Sequence, residues 1–432
     1  MFRTIIDAFK VKEIRNKILI TLALLLVYRI GCWIPCVGFS TDAMFAGSTG
    51  FGFFELMNMV SGGALQNCSV LALGVSPYIT ASIVIQLLTV AIPSLERLSK
   101  SGEDGRRKIS FYTRIAALVL AVAQAIGIVV AYSGSIDANL GGMPVWLVGC
   151  GVVLTMVAGA MFTVWLGERM TDLGIGNGTS LLIFVGILST AGTSIARIIE
   201  ACTVDITYIW YLVLFVAAVV AIFAFIVLID GGERRVQVQY AKQIKGRKMY
   251  GGQSNHIPIK VNATGVMPII FANALITFPQ LIISVFWPDV TWYSDWLGTN
   301  SWLYIVLTAL LILAFALFYS RISFNPDDVS KRIQQQGGFL PGIRPGKQTS
   351  AHLKKISDRI TIFGACFLAI IALIPSLAFK AIGDADTLNV AATLINAFSA
   401  TGLMIVVSVA LELDKQLSAQ MFVRNHKGFL SW

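Results

Sequence analysis

The chain has 432 residues, 56% of them hydrophobic and 13% charged, with a mean hydropathy of +0.76 and a formal net charge of +10. That balance excludes an ordinary soluble domain and a disordered chain, and the apolar runs are too long and continuous for a membrane β-barrel, so the class is an all-α polytopic membrane protein. The six cysteines are scattered, form no CxxC pair and stand beside no histidine at zinc spacing, so the sequence implies no metal or other cofactor.

Residues 1–17, "MFRTIIDAFKVKEIRNK", read as a basic amphipathic helix on the inner membrane surface rather than a cleavable leader. A span needs ~20 predominantly apolar residues. By that measure the spans fall at 18–38, 76–93, 111–132, 145–166, 177–197, 207–229, 264–286, 302–320, 360–380 and 388–411. Between the first two lies "NMVSGGALQNCSVLALG", too short and too polar to be a span and broken by Gly62-Gly63 and Gly74. It reads as a half-helix over about 55–70 that dips in from one side. Irregular backbone at membrane depth is tolerated only inside protein or along a water-filled cavity, so the break predicts a pathway.

Of the 33 Lys and Arg, 30 fall in segments on one side if the N-terminus is inside; Arg197 and Lys380 lie outside, and Arg29 lies within the first span. Both termini are therefore expected on the inner, cytoplasmic face, where the basic charge meets anionic lipid. Ten spans divide into an N-terminal half (18–200) and a C-terminal half (201–411), followed by an inner tail at 412–432. Five spans per half give the two halves opposite orientations, the arrangement of an inverted pseudo-two-fold with a path between them.

Two classes fit that plan, a secondary solute transporter and a channel. An ion-coupled transporter places ionisable ligands inside its spans. Here the acids Asp230, Asp289, Asp386 and Glu412 fall at span ends, and the three histidines lie in inner segments. An uncoupled carrier using Asn273 and Gln86 stays open. The candidate pathway is otherwise aliphatic: Val75 and Ile79 share a helix face at i,i+4, and Ile183 and Ile270 sit in glycine- or proline-interrupted spans. Such a constriction blocks ions by dewetting, although Ile and Val in spans also serve as ordinary packing residues. The inner loops 230–262 and 321–359 exceed the ~12–15 residues at which loops usually carry function. Within them "GGFLPGIRPGKQTS" presents Arg344 and Lys347 on a proline-stiffened turn series, suited either to a lipid surface or to a large partner.

Four stretches then converge on one family. "GVSPYITASIVIQLL" (74–88), "DLGIGNGTSLLIFVGI" (172–187), "GRKMYGGQSNHIPIKVN" (246–262) and "QGGFLPGIRPGKQT" (336–349) resemble the bacterial type of SecY, the central subunit of the Sec protein-translocation channel, in order and position. The resemblance covers essentially the whole chain. It implies a protein-conducting channel of the plasma (inner) membrane, with no enzymatic chemistry, that passes unfolded polypeptides and releases membrane segments sideways into lipid.

The resemblance also implies the site. The broken segment becomes a plug carrying Met57, Ser61, Gly62, Gly63, Ala64 and Asn67. A pore ring falls on Val75, Ile79, Thr179, Ile183, Ile270 and Ile405, where the Thr179 hydroxyl departs from an aliphatic ring and could instead bond its own helix backbone. Thr80, Gln124 and Asn273 become the polar residues of a lateral gate between the second and seventh spans, with the third and eighth beside them. Arg247, Lys248, Arg344 and Lys347 become the docking residues for the motor ATPase SecA and the ribosome. The implied partners are SecE and SecG, SecA, the ribosome, signal sequences and nascent chains, with a homodimer left open. No P-loop pattern is present, so energy is expected from a partner or the membrane potential.

Overall fold

The computed structural model describes residues 9–39, 58, 61–131, 144–204, 208–240, 243–245, 248–250, 254–262, 265, 267–286, 296, 301–382 and 400–427. In chain order the N-terminal half holds α1 (Lys12–Gly31), α2 (Ser76–Ala91), α3 (Pro93–Lys100), α4 (Glu103–Ala131), α5 (Val145–Leu173) and α6 (Gly178–Val204). The C-terminal half opens with α7 (Tyr208–Asp230) and strands β1 (Glu233–Tyr240), β2 (Gln243–Lys245), β3 (Lys248–Tyr250) and β4 (Ser254–Lys260). It continues through α8 (Met267–Phe286), α9 (Trp302–Ser323), α10 (Pro326–Gln335), β5 (Gly338–Phe339), α11 (Lys347–Ile382) and α12 (Ala400–Lys427). Among the described residues a helix overlaps each of the ten expected spans, the last only from Ala400 because 388–399 lie outside them. By length and hydropathy alone α4, α5, α9 and α11 qualify as crossing a bilayer, and the bent pair α2–α3 makes a fifth.

Local chemistry sets the breaks. Ile92 is extended, as a residue before proline prefers, and Pro93 cannot continue the α2 ladder, so α3 leaves at 107° to α2. The return is tight: a Cβ on Gly105 would lie 1.8 Å from the Leu98 carbonyl oxygen. The Asn325 side chain caps α10 by accepting from the Asp327 N–H at 3.2 Å, and Asp327 and Asp328 in the first turn complement the helix dipole.

The helices pack as two groups that meet along two seams. In the N-terminal group, α4 packs on α2 and α5, and α5 packs on α1 and α6. Ala117, Ala121 and Ala125 of α4 are fully buried, the small-residue stripe that lets helices approach closely where lipid supplies no hydrophobic drive. In the C-terminal group, α9 packs on α8 and α11, and α12 packs on α7 and α11. One seam joins α6 to α7 and α12; the other joins α2 and α4 to α8.

The two long inner loops form a single module. β4, β1 and β5 make an antiparallel sheet in which Val236 pairs with Ile257 and Gln239 with Phe339. Val238 and Ile259 of the sheet are buried against Ile333 of α10, Leu340, and Leu353 in the second turn of α11. Helix α11 is 36 residues long and runs unbroken from this module past the expected span start at 360. α12 likewise continues through 412 to Lys427. α1 begins at Lys12, within the stretch expected as a surface helix, and runs straight into the first span. Its Ile14 is buried with Ile175 and with Leu417 of α12, so the first helix and the last are tied together.

Leu353→Ala removes the centre of the inner module and is expected to cost about 2–5 kcal/mol locally. Faster amide exchange in β1 and β4, with unchanged protection of α5 and α6, is the measurement that checks it.

Candidate functional site

The broken segment before α2 is held by the first span. Asn58 and Ser61 are helical; residues 62–75 then run as consecutive turns, and Met57 lies outside the described residues. The Tyr28 hydroxyl donates to the Ser61 carbonyl at 3.1 Å, and Arg29 Nη1 donates to the Gly62 carbonyl at 2.9 Å. Further out, the Cys36 N–H donates to the Cys68 carbonyl at 2.8 Å and the Val70 N–H to the Ile34 carbonyl at 3.0 Å, flanking a Pro35–Ser69 bridge. Within the segment Asn58 Oδ1 accepts from the Gln66 N–H at 2.9 Å. Ala64, Leu65 and Cys68 are buried, whereas Asn67 faces outward.

Glycine makes this seat possible. Gly62 has φ +72, and a Cβ there would lie 2.8 Å from the Gly186 Cα of α6. On the other flank, a Cβ on Gly159 of α5 would lie 1.9 Å from the Val70 carbonyl oxygen. The segment therefore rests backbone to backbone on two helices while hydrogen bonding to a third.

Below it, isoleucines from separate helices converge. Val75 caps α2 and is fully buried, and Ile79 lies one turn further on. Ile183 of α6 and Ile405 of α12 belong to one buried cluster, and Ile79 and Ile270 pack against it. Ile79 also packs on the neighbouring cluster that holds Val75. On the side of the inner loops lies a cavity of about 520 Å³. Ile183, Ile270 and Ile405 line it, and from Ile405 the lining follows α12 through Ser408, Glu412 and Lys415 to Ala419. At 1.5 Å per residue, Ile405 to Ala419 spans about 21 Å. Asp230, Lys260 and Asn262 from the module side complete a wall that combines isoleucines with charged and polar side chains.

The "GIGNG" turn decides which residue of α6 faces that cavity. Asn177 Oδ1 accepts from both the Thr179 N–H at 3.1 Å and the Thr179 hydroxyl at 2.7 Å. The Thr179 methyl lies against Gly167 of α5, where a Cβ would meet it at 3.0 Å. A Cβ on Gly178 would lie 2.0 Å from the Gly167 carbonyl oxygen, so glycine is required for α6 to start this close to α5. With Thr179 turned to its own cap and to α5, Ser180 is the residue of this turn that lines the cavity.

The helices of the seam between α2, α4 and α8 carry Thr80, Gln124 and Asn273. The Thr80 hydroxyl bonds back to the Ser76 carbonyl at 3.1 Å within its own helix. Gln124 is buried on α4, and its Oε1 has no partner among the described residues. Asn273 is half-buried on α8. The bond that bridges the seam was not marked by any motif: the Tyr319 hydroxyl of α9 donates to Gln86 Oε1 of α2. Phe271, next to Ile270, stacks edge-on against Tyr319 and Phe315 at centroid distances of 5.0 and 5.7 Å. The only sequence signal for Tyr319 is a phenol inside an otherwise apolar helix, which needs a hydrogen-bond partner when buried.

On the inner module Arg344 and Lys347 are exposed. The turn that presents Arg344 is braced: the Thr349 hydroxyl donates to the Arg344 carbonyl at 3.0 Å, Ser330 donates to the Gly346 carbonyl at 2.8 Å, and Ser350 bonds Asp327. Arg344 has no acidic partner among the described residues. Lys248 lies on β3, whose hairpin pairs Lys245 with Lys248, and Arg247 lies outside the described residues.

Comparison with known proteins agrees with this geometry. The SecY family model matches residues 69–413. The chain is similar to a protein translocase subunit SecY from Streptomyces scabiei, 38% identical over 98% of each chain. Among solved structures it is similar to a SecY protein whose plug domain is described as stabilising the closed state of the translocation channel (TM-score 0.67, 18% identity, 97% of this chain and 95% of that one). It is also similar to Sec61 in the canine ribosome–channel complex from the endoplasmic reticulum (TM-score 0.65, 17% identity, 97% and 95%). The identity and coverage shared with the Streptomyces subunit, together with the family match over most of the sequence, establish that this chain belongs to the SecY family of protein translocase subunits.

Proposed function

We propose that this chain forms the channel of a protein translocase, passing unfolded secretory polypeptides across the plasma membrane and releasing membrane segments sideways into lipid. The observation that carries this reading is the meeting of Ile79, Ile183, Ile270 and Ile405, from α2, α6, α8 and α12, between a hydrogen-bonded outer seal and an open inner cavity. Val75 extends that constriction toward the seal. A ring of isoleucines excludes ions by dewetting while shut and touches a passing chain only through apolar contacts, which carry no sequence preference.

The segment 61–75, with Ser61, Gly62, Gly63, Ala64 and Asn67, acts as the plug. On the segment's side the seat offers backbone carbonyls rather than carboxylates, which suits a seal that must leave and return. The seam of α2 and α4 against α8 and α9 acts as the lateral gate. Thr80, Gln124 and Asn273 lie along it, and the Gln86–Tyr319 bond closes it across α2 and α9. Interhelical bonds in lipid are worth about 0.6–2 kcal/mol each, weak enough for a seam that opens.

Arg344 and Lys347, with Arg247 and Lys248, form the inner docking face for SecA and the ribosome. A structural relative sits in a ribosome–channel complex, and the braced turn holds Arg344 in place before any partner arrives. SecE and SecG complete the assembly, both termini are cytoplasmic, and anionic lipid neutralises the remaining basic charge. Energy comes from the bound partner and from the membrane potential. A solute carrier is disfavoured because Ile79, Ile183, Ile270 and Ile405 from four helices meet in one apolar cluster rather than around a polar cradle.

A stalled secretory chain is expected to crosslink to cysteine probes at positions 79 and 270 in the assembled translocase; saturable small-molecule uptake without polypeptide adducts would overturn the reading. Ile270→Asn is expected to raise ion leak of the closed channel severalfold and to admit defective signal sequences, both measured in reconstituted vesicles. Arg344→Glu is expected to reduce SecA-driven export severalfold while leaving assembly intact. Export at the wild-type rate would remove Arg344 from the docking face.

A further inference from the structure

Arg29 is a charge in an unusual place. It is the second-last residue but one of α1, twelve residues beyond Lys17, the nearest other charged residue of that helix, and between them the sequence is apolar apart from Thr21 and Tyr28. An ionised side chain at such a depth is costly and normally marks function. Among the described residues its partner is a backbone carbonyl, not a carboxylate. Among the described residues its hydrogen bond is the one from Nη1 to the Gly62 carbonyl at 2.9 Å. The adjacent Tyr28, fully buried, donates to the adjacent Ser61 carbonyl at 3.1 Å. Two consecutive residues of α1 thus grip two consecutive carbonyls of the broken segment.

Gly62 is shaped for this grip. Its φ of +72 is a backbone state L side chains rarely adopt, and a Cβ there would lie 2.8 Å from Arg29 Nη1 as well as from α6. The guanidinium and the α6 backbone leave no room for a side chain, so carbonyl and cation meet directly.

We propose that Arg29 is the latch of the outer seal: a positioning residue whose charge, with Tyr28 beside it, holds the plug in its seat and sets how readily the channel opens. This rests on the reading of residues 61–75 as the plug. A hydrogen bond from a charged donor is stronger than a neutral one, and the carbonyls it holds would otherwise lose their partners in a medium without water. A carboxylate at position 62 would tie the seal by a full ion pair in low dielectric and resist opening. A backbone carbonyl gives a hold that is firm and reversible. When the segment leaves, incoming water hydrates both the guanidinium and the freed carbonyls, so the latch favours the shut state only while the funnel is dry.

The test uses a native reporter. Cys68 is fully buried within the seated segment, so its alkylation by a membrane-impermeant maleimide, read by mass spectrometry on the assembled translocase in proteoliposomes, follows unseating. Arg29→Met is expected to speed Cys68 alkylation about tenfold, the factor for losing one charge-assisted hydrogen bond, and to raise closed-state ion leak. Arg29→Lys is expected to restore most of the slow rate, and Tyr28→Phe to give a smaller acceleration. A thermally stable Arg29→Met translocase alkylated at the wild-type rate would overturn the latch. If Arg29→Met does not fold, Arg29→Lys and Tyr28→Phe decide: acceleration in Tyr28→Phe supports the grip, and wild-type rates in both overturn it. Polypeptide transport by the parent chain is measured in the same vesicles. Its absence would overturn the channel reading, while unchanged alkylation with normal transport would overturn the latch alone.

Discussion

A carbonyl or amide placed in hydrocarbon must find its partner inside the protein, and much of this architecture follows from that requirement. The chain leaves helical conformation at membrane depth between Ser61 and Ser76. The first span answers with donors at Tyr28, Arg29 and Cys36 and an acceptor at Ile34. The glycines of the segment and of its neighbours exist because the satisfied backbone must approach other backbone closely, at Gly186 on one flank and Gly159 on the other. Pore, seal and seat are therefore one problem in hydrogen bonding, solved before any apolar ring is considered.

Once that segment is seated, the apolar ring follows from which helices it leaves facing one another. α6 and α12 meet along one seam, α2 and α8 along the other, and each contributes an isoleucine to the same region. The first seam packs Ile183 against Ile405; the second carries an aromatic group at Phe271, Phe315 and Tyr319 and a hydrogen bond from Tyr319 to Gln86.

Much of this was legible from sequence where chemistry is local. Gly62-Gly63 and Gly74 mark the broken segment, and Pro93 marks the bend after α2. Position-specific roles needed more. Nothing in the pattern separates Ile79 or Ile405 from the many packing isoleucines, and only the family resemblance singles them out. Thr179 and Ser180 differ by one residue, and the choice between them turns on Asn177 capping α6, which no motif states. The Tyr28, Arg29 and Tyr319 contacts join residues 33 or 233 positions apart, so local periodicity holds no trace of them. The same is true of the two inner loops, whose union depends on β5 pairing with β1 across a membrane-crossing hairpin of the chain.

That union gives α11 a second character. Its 36 residues make a rod about 54 Å long, rooted in the inner module by Leu353 and fastened to α9 where Ser320 and Thr361 share a 2.6 Å hydrogen bond. Arg344 stands three residues before the rod begins, and Tyr319 stands beside Ser320. The turn that carries Arg344 is thus joined to the neighbour of Tyr319 through stiff helix rather than pliant loop.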